Sequence, residues 1–295
     1  VVAALAGEQW RVQAYADDAP MYLLSAERMF GTPTVAEMKE YAKVNGHHHP
    51  LRQKGKYGEL GLGFGGWVGA LRGLGMDGTD DELKDVVLKW RAASPSLVWL
   101  WGGQTRGKQP GASDQWDKTW APFGLEGMAI LAVQNPGVEY PVTRRNGTPT
   151  GISYTMRGDV LYCRLLSGRA IPYHRPRLQQ APEDWRGLSL SFETNNTNPK
   201  NGPIGWIRMN TFGTRLCENL VQATARDIQM NAIRQLEDAG YPIVLHTYDE
   251  VVAEVPDGWG SVEELERIMC AVPPWAAGWP IKAAGGFCAK RYRKS

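Results

Sequence analysis

At 295 residues, with 43% hydrophobic and 22% charged residues, the chain has the composition of a globular protein and room for one large domain or two, which excludes disordered and fibrous classes. A net charge of +2 and a pI near 8.3 do not by themselves announce a nucleic-acid partner. Cys163, Cys217, Cys270 and Cys288 form no Cys-x₂-Cys pair, and no apolar run approaches the ~18 residues of a membrane span, so the expectation is a soluble, cytoplasmic protein without a zinc site and without membrane association.

In chain order, Glu8 to Ala16, Leu24 to Phe30 and Val35 to Val44 have helix-forming composition, with Thr34 placed as an N-cap. His47, His48 and His49 follow in a polar turn. Neighbouring histidines rarely converge on one ion, so a solvated loop is expected there. From Arg52 to Gly65, the residues Arg52, Lys56, Leu60 and Phe64 recur every fourth position, which on a helix stacks them on one face. Two cations and an aromatic ring on one stripe would grip a polyphosphate and meet a flat base. Gly55, Gly58, Gly61 and Gly63 oppose a helix at roughly 1 kcal/mol each. A glycine-rich phosphate loop is the competing reading, although no apolar strand precedes the run and no Gly-Lys-Ser/Thr follows it.

Thr79 to Ala93 reads as a long helix opened by Asp80, Asp81 and Glu82, whose charges suit the helix dipole. Leu97 to Trp101 reads as core. Between Val142 and Leu166 the pattern shifts to short β-rich runs, 151–156 and 160–165, separated by Arg157-Gly158-Asp159, which predicts a hairpin or small sheet. Asn195 to Gly202 is a polar loop and the best candidate for a flexible tip. Val221, Ala225, Ile228, Ala232 and Leu236 then define an amphipathic helix ending near Gly240.

That helix leads into Leu245-His246-Thr247-Tyr248-Asp249-Glu250-Val251-Val252, two adjacent carboxylates between β-forming runs. A hairpin would hold Asp249 at a rigid edge, where a carboxylate suits Mg²⁺; the alternative is a solvated acidic turn. Lys282, Lys290, Arg291, Arg293 and Lys294 crowd the C-terminus, as a phosphate-binding or a solvated tail.

Taken together and in this order, the two charged segments resemble the family A DNA polymerases, especially the compact phage-type branch. Arg52, Lys56, Phe64 and Gly65 are in register with the family's second motif, Arg-x₃-Lys-x₇-Tyr-Gly, with Phe in place of Tyr. Asp249 and Glu250 match the third motif, His-Asp-Glu, with Tyr248 where His is usual. Glu218 to Asp227 is similar to the helix preceding that motif, with Gln222 its best match. Leu5-Ala6-Gly7-Glu8, Met29-Phe30-Gly31-Thr32-Pro33 and the segment from Gly285 to Lys294 also look like phage-type polymerase sequence.

The resemblance implies an α+β fold: helical fingers, part of a palm with an antiparallel sheet, and a small β-rich insertion. The implied domains are 1–140 for the start of the palm and the fingers, 141–205 for the insertion, and 206–295 for the palm with its catalytic hairpin. It further implies template-directed nucleotidyl transfer onto a primer with two Mg²⁺ ions. In that scheme Asp249 binds metal, Glu250 supports it, and Arg52 and Lys56 hold the dNTP. Lys56 also protonates the pyrophosphate, Phe64 stacks near the templating position, Tyr22 faces the nucleotide phosphates or, alternatively, is simply a buried Tyr, and Gln222 and Tyr248 touch primer-template DNA. The first motif, Asp-x-Ser-x-x-Glu-x-Arg, is absent, and Val1 to Glu8 looks like the sequence just after it. Val1 is also not an initiator Met. The expectation is therefore a processed product, fragment or split enzyme that needs an N-terminal polypeptide carrying that aspartate and the thumb, with or without an exonuclease. The alternative is a non-catalytic primer-template or nucleotide binding module.

Overall fold

The structure is a computed structural model that describes residues 1–102, 122–180 and 188–286, and the basic residues from Lys290 onward lie outside them. The described residues form a mixed α+β fold of helices α1 (Val2–Ala6), α2 (Gln9–Ala16), α3 (Met21–Phe30), α4 (Val35–Asn45), α5 (Pro50–Leu62), α6 (Val68–Gly73), α7 (Asp80–Ala93), α8 (Pro95–Trp101) and α9 (Gly124–Gln134), followed by strands β1 (Glu139–Thr143), β2 (Pro149–Arg157), β3 (Val160–Arg164), β4 (Ala170–Gln180), β5 (Leu188–Asn196) and β6 (Gly205–Thr211). Helix α10 (Gly213–Asp238), strands β7 (Ile243–Thr247) and β8 (Glu250–Ala253), and helix α11 (Val262–Met269) complete the chain. Two compact units result, 2–220 and 221–286 with Val1, and their boundary falls inside α10.

Local chemistry fixes the first helices. Thr34 and Thr79 each accept a hydrogen bond from the backbone N–H three residues on, while Glu37 and Glu82 reach back, so α4 and α7 both start with a complete capping box. The same bonds hold the Glu37 and Glu82 carboxyls below the usual carboxylate range. Helix α5 forms despite its glycines because they are the price of close packing. A Cβ on Gly55 would lie 2.1 Å from the Tyr22 carbonyl oxygen of α3, and one on Gly58 would lie 2.8 Å from the Trp90 ring of α7. Glu59, on the same side of α5, pairs with buried Arg11 and accepts hydrogen bonds from Ser25 Oγ at 2.7 Å and Trp90 Nε1 at 3.1 Å. Arg11 also donates to Ser94 Oγ at 2.7 Å, so the buried charge pair is held from four elements.

The six strands β1 to β6 form one antiparallel sheet in sequence order. One face, carrying Val142, Ile152, Tyr154, Leu161, Cys163, Tyr173, Leu190 and Phe192, is buried, with α9 packed on the sheet. Burial pushes the Cys163 thiol up to about 12 and raises the Tyr154 phenol. The sheet is larger than the hairpin or small sheet read from residues 142–166. Strand β4 contains Pro172 and Pro176, which hide a strand signal; Pro176 falls in a bulge between His174 and Arg177, and Pro172 keeps its register opposite Tyr162. The expected flexible tip at 195–202 is also more ordered than its composition suggested. Asn195 and Asn196 end β5, and the buried Asn196 amide donates to the carbonyls of Gly202 and Pro203 at 3.0 and 2.8 Å.

In the second unit, Ile228, Ala232 and Leu236 of α10 are buried as the helical spacing predicts, whereas Ala225 is exposed and Thr224 takes the inward position. Leu236, Tyr241 and Ile268 form a core on which Ile243, Val251, Ala253, Leu265 and Met269 pack. This core lies behind the β7–β8 hairpin. Among the described residues no helix is long and apolar enough to cross a membrane.

Candidate active site

The cationic stripe and the acidic hairpin belong to different units, and each has its own geometry. On α5, Arg52 and Lys56 lie one turn apart and flank the stripe of Gly55, Gly58 and Leu62, which are buried. Each is half-buried. Tyr22 of α3 joins this group, with the Arg52 guanidinium 5.4 Å from its ring centroid. Leu60 continues the stripe and is exposed. Phe64 does not share the helix: α5 ends at Leu62, and Phe64 stands in the following turn, 39% exposed. Gly65 closes that turn at φ +78°, and a Cβ there would strike Thr214 at 2.2 Å. The stripe of four is therefore three helical positions plus an aromatic placed by a turn.

His47 and His49 stack edge-on against Tyr41, with ring centroids at 5.5 and 4.8 Å, and His49 Nδ1 accepts from the Leu51 N–H as an N-cap. These contacts give the histidines a structural role at the start of α5. No group of three His, Cys, Asp or Glu suited to a metal ion occurs among the described residues.

In the second unit, Thr247 pairs with Glu250, leaving Tyr248 and Asp249 as a two-residue turn. Tyr248 has φ +46° and is 94% exposed. A bulky side chain rarely occupies that left-handed region, where Gly or Asn is the usual choice, so the turn holds local strain. Asp249 is exposed at the tip and Glu250 is half-buried at the start of β8. The carboxylate pair therefore sits on a short hairpin with an apolar backing, as its β-forming flanks predict.

Two residues that support this hairpin were missed from sequence. Gln229 Nε2 of α10 donates to the Glu250 carbonyl at 3.2 Å, and Glu237 accepts from the Ile243 N–H at 2.8 Å. The signal for Gln229 was its spacing. It lies seven residues after Gln222, which puts both on one face of α10 about 10 Å apart along the axis. Gln222 is exposed on that face.

The chain is similar to the protein named DNA polymerase of Bacillus phage SP02, at 33% identity over 297 aligned residues that take in 100% of this chain and 39% of that protein. It thus spans about two-fifths of that relative's length. No protein-family model matches the chain, and no solved structure does.

Proposed function

We propose that this chain forms the fingers and part of the palm of a phage-type family A DNA polymerase that extends a primer on a DNA template. In this reading residues 1–140 begin the palm and form the fingers, 141–205 are the β-rich insertion, and 206–295 are palm. The observation that carries it is the Asp249–Glu250 pair at the tip of a hairpin backed by its own core, in a chain similar throughout to a phage DNA polymerase.

The donor set suits Mg²⁺, which takes one or two protein carboxylates and fills its octahedron with phosphate oxygens and water. Asp249 would hold the ion, with Glu250 beside it. Of the two Mg²⁺ ions of the proposed mechanism, bound metal would neutralise charge on the phosphates and favour the ionised primer hydroxyl. The first-motif aspartate that shares them would come from polymerase sequence outside these 295 residues, together with a thumb. Arg52 and Lys56 bind and orient the triphosphate of the incoming dNTP, with Tyr22 steadying Arg52. Lys56, free of any carboxylate among the described residues, would give a proton to the leaving pyrophosphate. Phe64 packs near the nascent base pair, while Gln222 and Tyr248 meet the primer-template.

A chimera in which this chain replaces the matching part of the SP02 polymerase tests the reading. Mg²⁺-dependent primer extension is expected. Arg52→Ala and Lys56→Ala should each raise the KM for dNTP by about tenfold or more, as expected when a charge-assisted phosphate contact is lost. A folded chimera that binds primer-template without extending it would favour the binding module instead.

A further inference from the structure

The sheet region of the chain carries an excess of basic residues. Residues 139–211 carry ten Lys and Arg against five Asp and Glu, an excess larger than the net +2 of the whole chain. The register sorts these side chains by face. Arg157, Val160, His174, Glu193 and Arg208 stand in one row across β2 to β6, on the face opposite the buried residues. Tyr162, Arg164, Arg177 and Trp206 fall on the same face by alternation. Five strands at ~4.8 Å spacing make this platform roughly 19 Å wide.

The acidic residues here are largely neutralised from within. Glu193 takes Arg175 and Arg208, each at 2.8 Å, which holds its carboxyl below the usual range, and Asp159 lies 3.7 Å from Arg175. Glu139 lies 3.8 Å from Arg164. Arg157 and Arg177 are exposed and pair with no carboxylate among the described residues. Aromatic rings interleave with these cations. Trp206 is 67% exposed and meets His174 edge-on at 5.8 Å, and Tyr162 is half-buried on β3. The bulge at Arg175, with φ +44° and its carbonyl accepting from Arg208 at 3.0 Å, opens a groove of about 550 Å³ lined by Asp159, His174, Arg175, Glu193 and Trp206.

We propose that this outer sheet face binds single-stranded nucleic acid, with bases stacked on Trp206, His174 and Tyr162 and phosphates held by Arg157, Arg164 and Arg177. Exposed rings reward unpaired bases, whose faces are free, and a duplex offers none; the arginines supply the polyanion contacts. An acidic peptide would use the arginines without needing the rings. The proposal goes beyond the polymerase reading and does not depend on it, since the face lies wholly within residues 139–211.

The test is binding of a short oligodeoxythymidine bearing 5-bromodeoxyuridine to the intact chain, with photocrosslinks mapped by mass spectrometry. Crosslinks are expected at Tyr162, His174 or Trp206. Trp206→Ala should weaken binding about tenfold, Trp206→Phe should retain most of it, and the exposed Arg164→Glu and Arg177→Glu changes should weaken it and flatten its salt dependence. Crosslinks confined to α5 or the β7–β8 hairpin, with all four variants binding normally, would overturn the proposal and leave the polymerase reading standing. Loss in the arginine variants but not in Trp206→Ala, with polyaspartate binding as tightly, would overturn it in favour of a general polyanion or protein surface.

Discussion

Helix α5 and the β7–β8 hairpin carry the two charged sets of the chain, and they are held by opposite means. Helix α5 is fixed along its buried stripe: Gly55 and Gly58 let α3 and α7 close on it, and Glu59 locks it to Arg11, which leaves Arg52 and Lys56 half-buried beside that stripe. The hairpin is fixed at its base by Gln229, Glu237 and an apolar core, while its tip carries strain at Tyr248. A helix presents charges from the flank of its buried stripe, and a turn does so by projecting them. Substitutions behind α5 should therefore cost stability, and substitutions at the hairpin tip should cost activity with little effect on folding.

The largest expected effect is at the buried pair. Glu59→Ala leaves Arg11 uncompensated and should cost about 3–5 kcal/mol in urea unfolding. A loss below 1 kcal/mol would show that α5 is not anchored there. Gly55→Ala drives a methyl group against the Tyr22 carbonyl and should cost about 1–3 kcal/mol despite the better helix propensity of Ala. A more stable variant would mean that the close approach of α3 and α5 is absent in solution.

The buried thiols of β3 and α10 offer a pH-dependent contrast, because neither α5 nor the hairpin buries one. Burial raises the Cys163 and Cys217 thiols from 9.0 to about 12, so the folded state keeps protons that the unfolded chain releases. Their contribution is full below pH 9 and is lost as pH rises towards 12. Stability should fall by roughly 1 kcal/mol for each thiol per pH unit above 9, and a flat profile to pH 11 in pH-dependent unfolding would contradict this. Thr79→Ala removes one helix cap and should cost about 1 kcal/mol, read as a shift in the thermal midpoint. The smallest effect has the opposite sign. Tyr248→Gly relieves the left-handed turn and should be neutral or stabilising by up to ~1 kcal/mol while weakening primer-template binding, whereas clear destabilisation would argue against strain at that residue.

Much of this was legible in the sequence because it is local. The capping boxes follow from Thr-x-x-Glu, and the β-forming flanks of Tyr248 and Asp249 define the hairpin. The helix stripe of Arg52, Lys56 and Leu60 was legible too, but the reason its glycines are tolerated was not, since Tyr22 and Trp90 lie about thirty residues away on either side. The sheet beyond residue 166 was hidden by the two prolines of β4 and the asparagines that close β5. The end of α5 was hidden as well, because Gly63 adopts a helical conformation yet does not continue the helix, which leaves Phe64 in a turn. The strain at Tyr248 had no sequence signal, because that position lacks the Gly or Asn that such a turn usually takes.

Single-turnover nucleotide incorporation by the SP02 chimera, with and without Asp249→Asn, tests the role of the hairpin carboxylate. The substitution should abolish Mg²⁺-dependent incorporation while primer-template affinity and folding are retained. Incorporation that survives in the variant at a comparable rate would contradict the assignment of the hairpin carboxylate as the metal ligand.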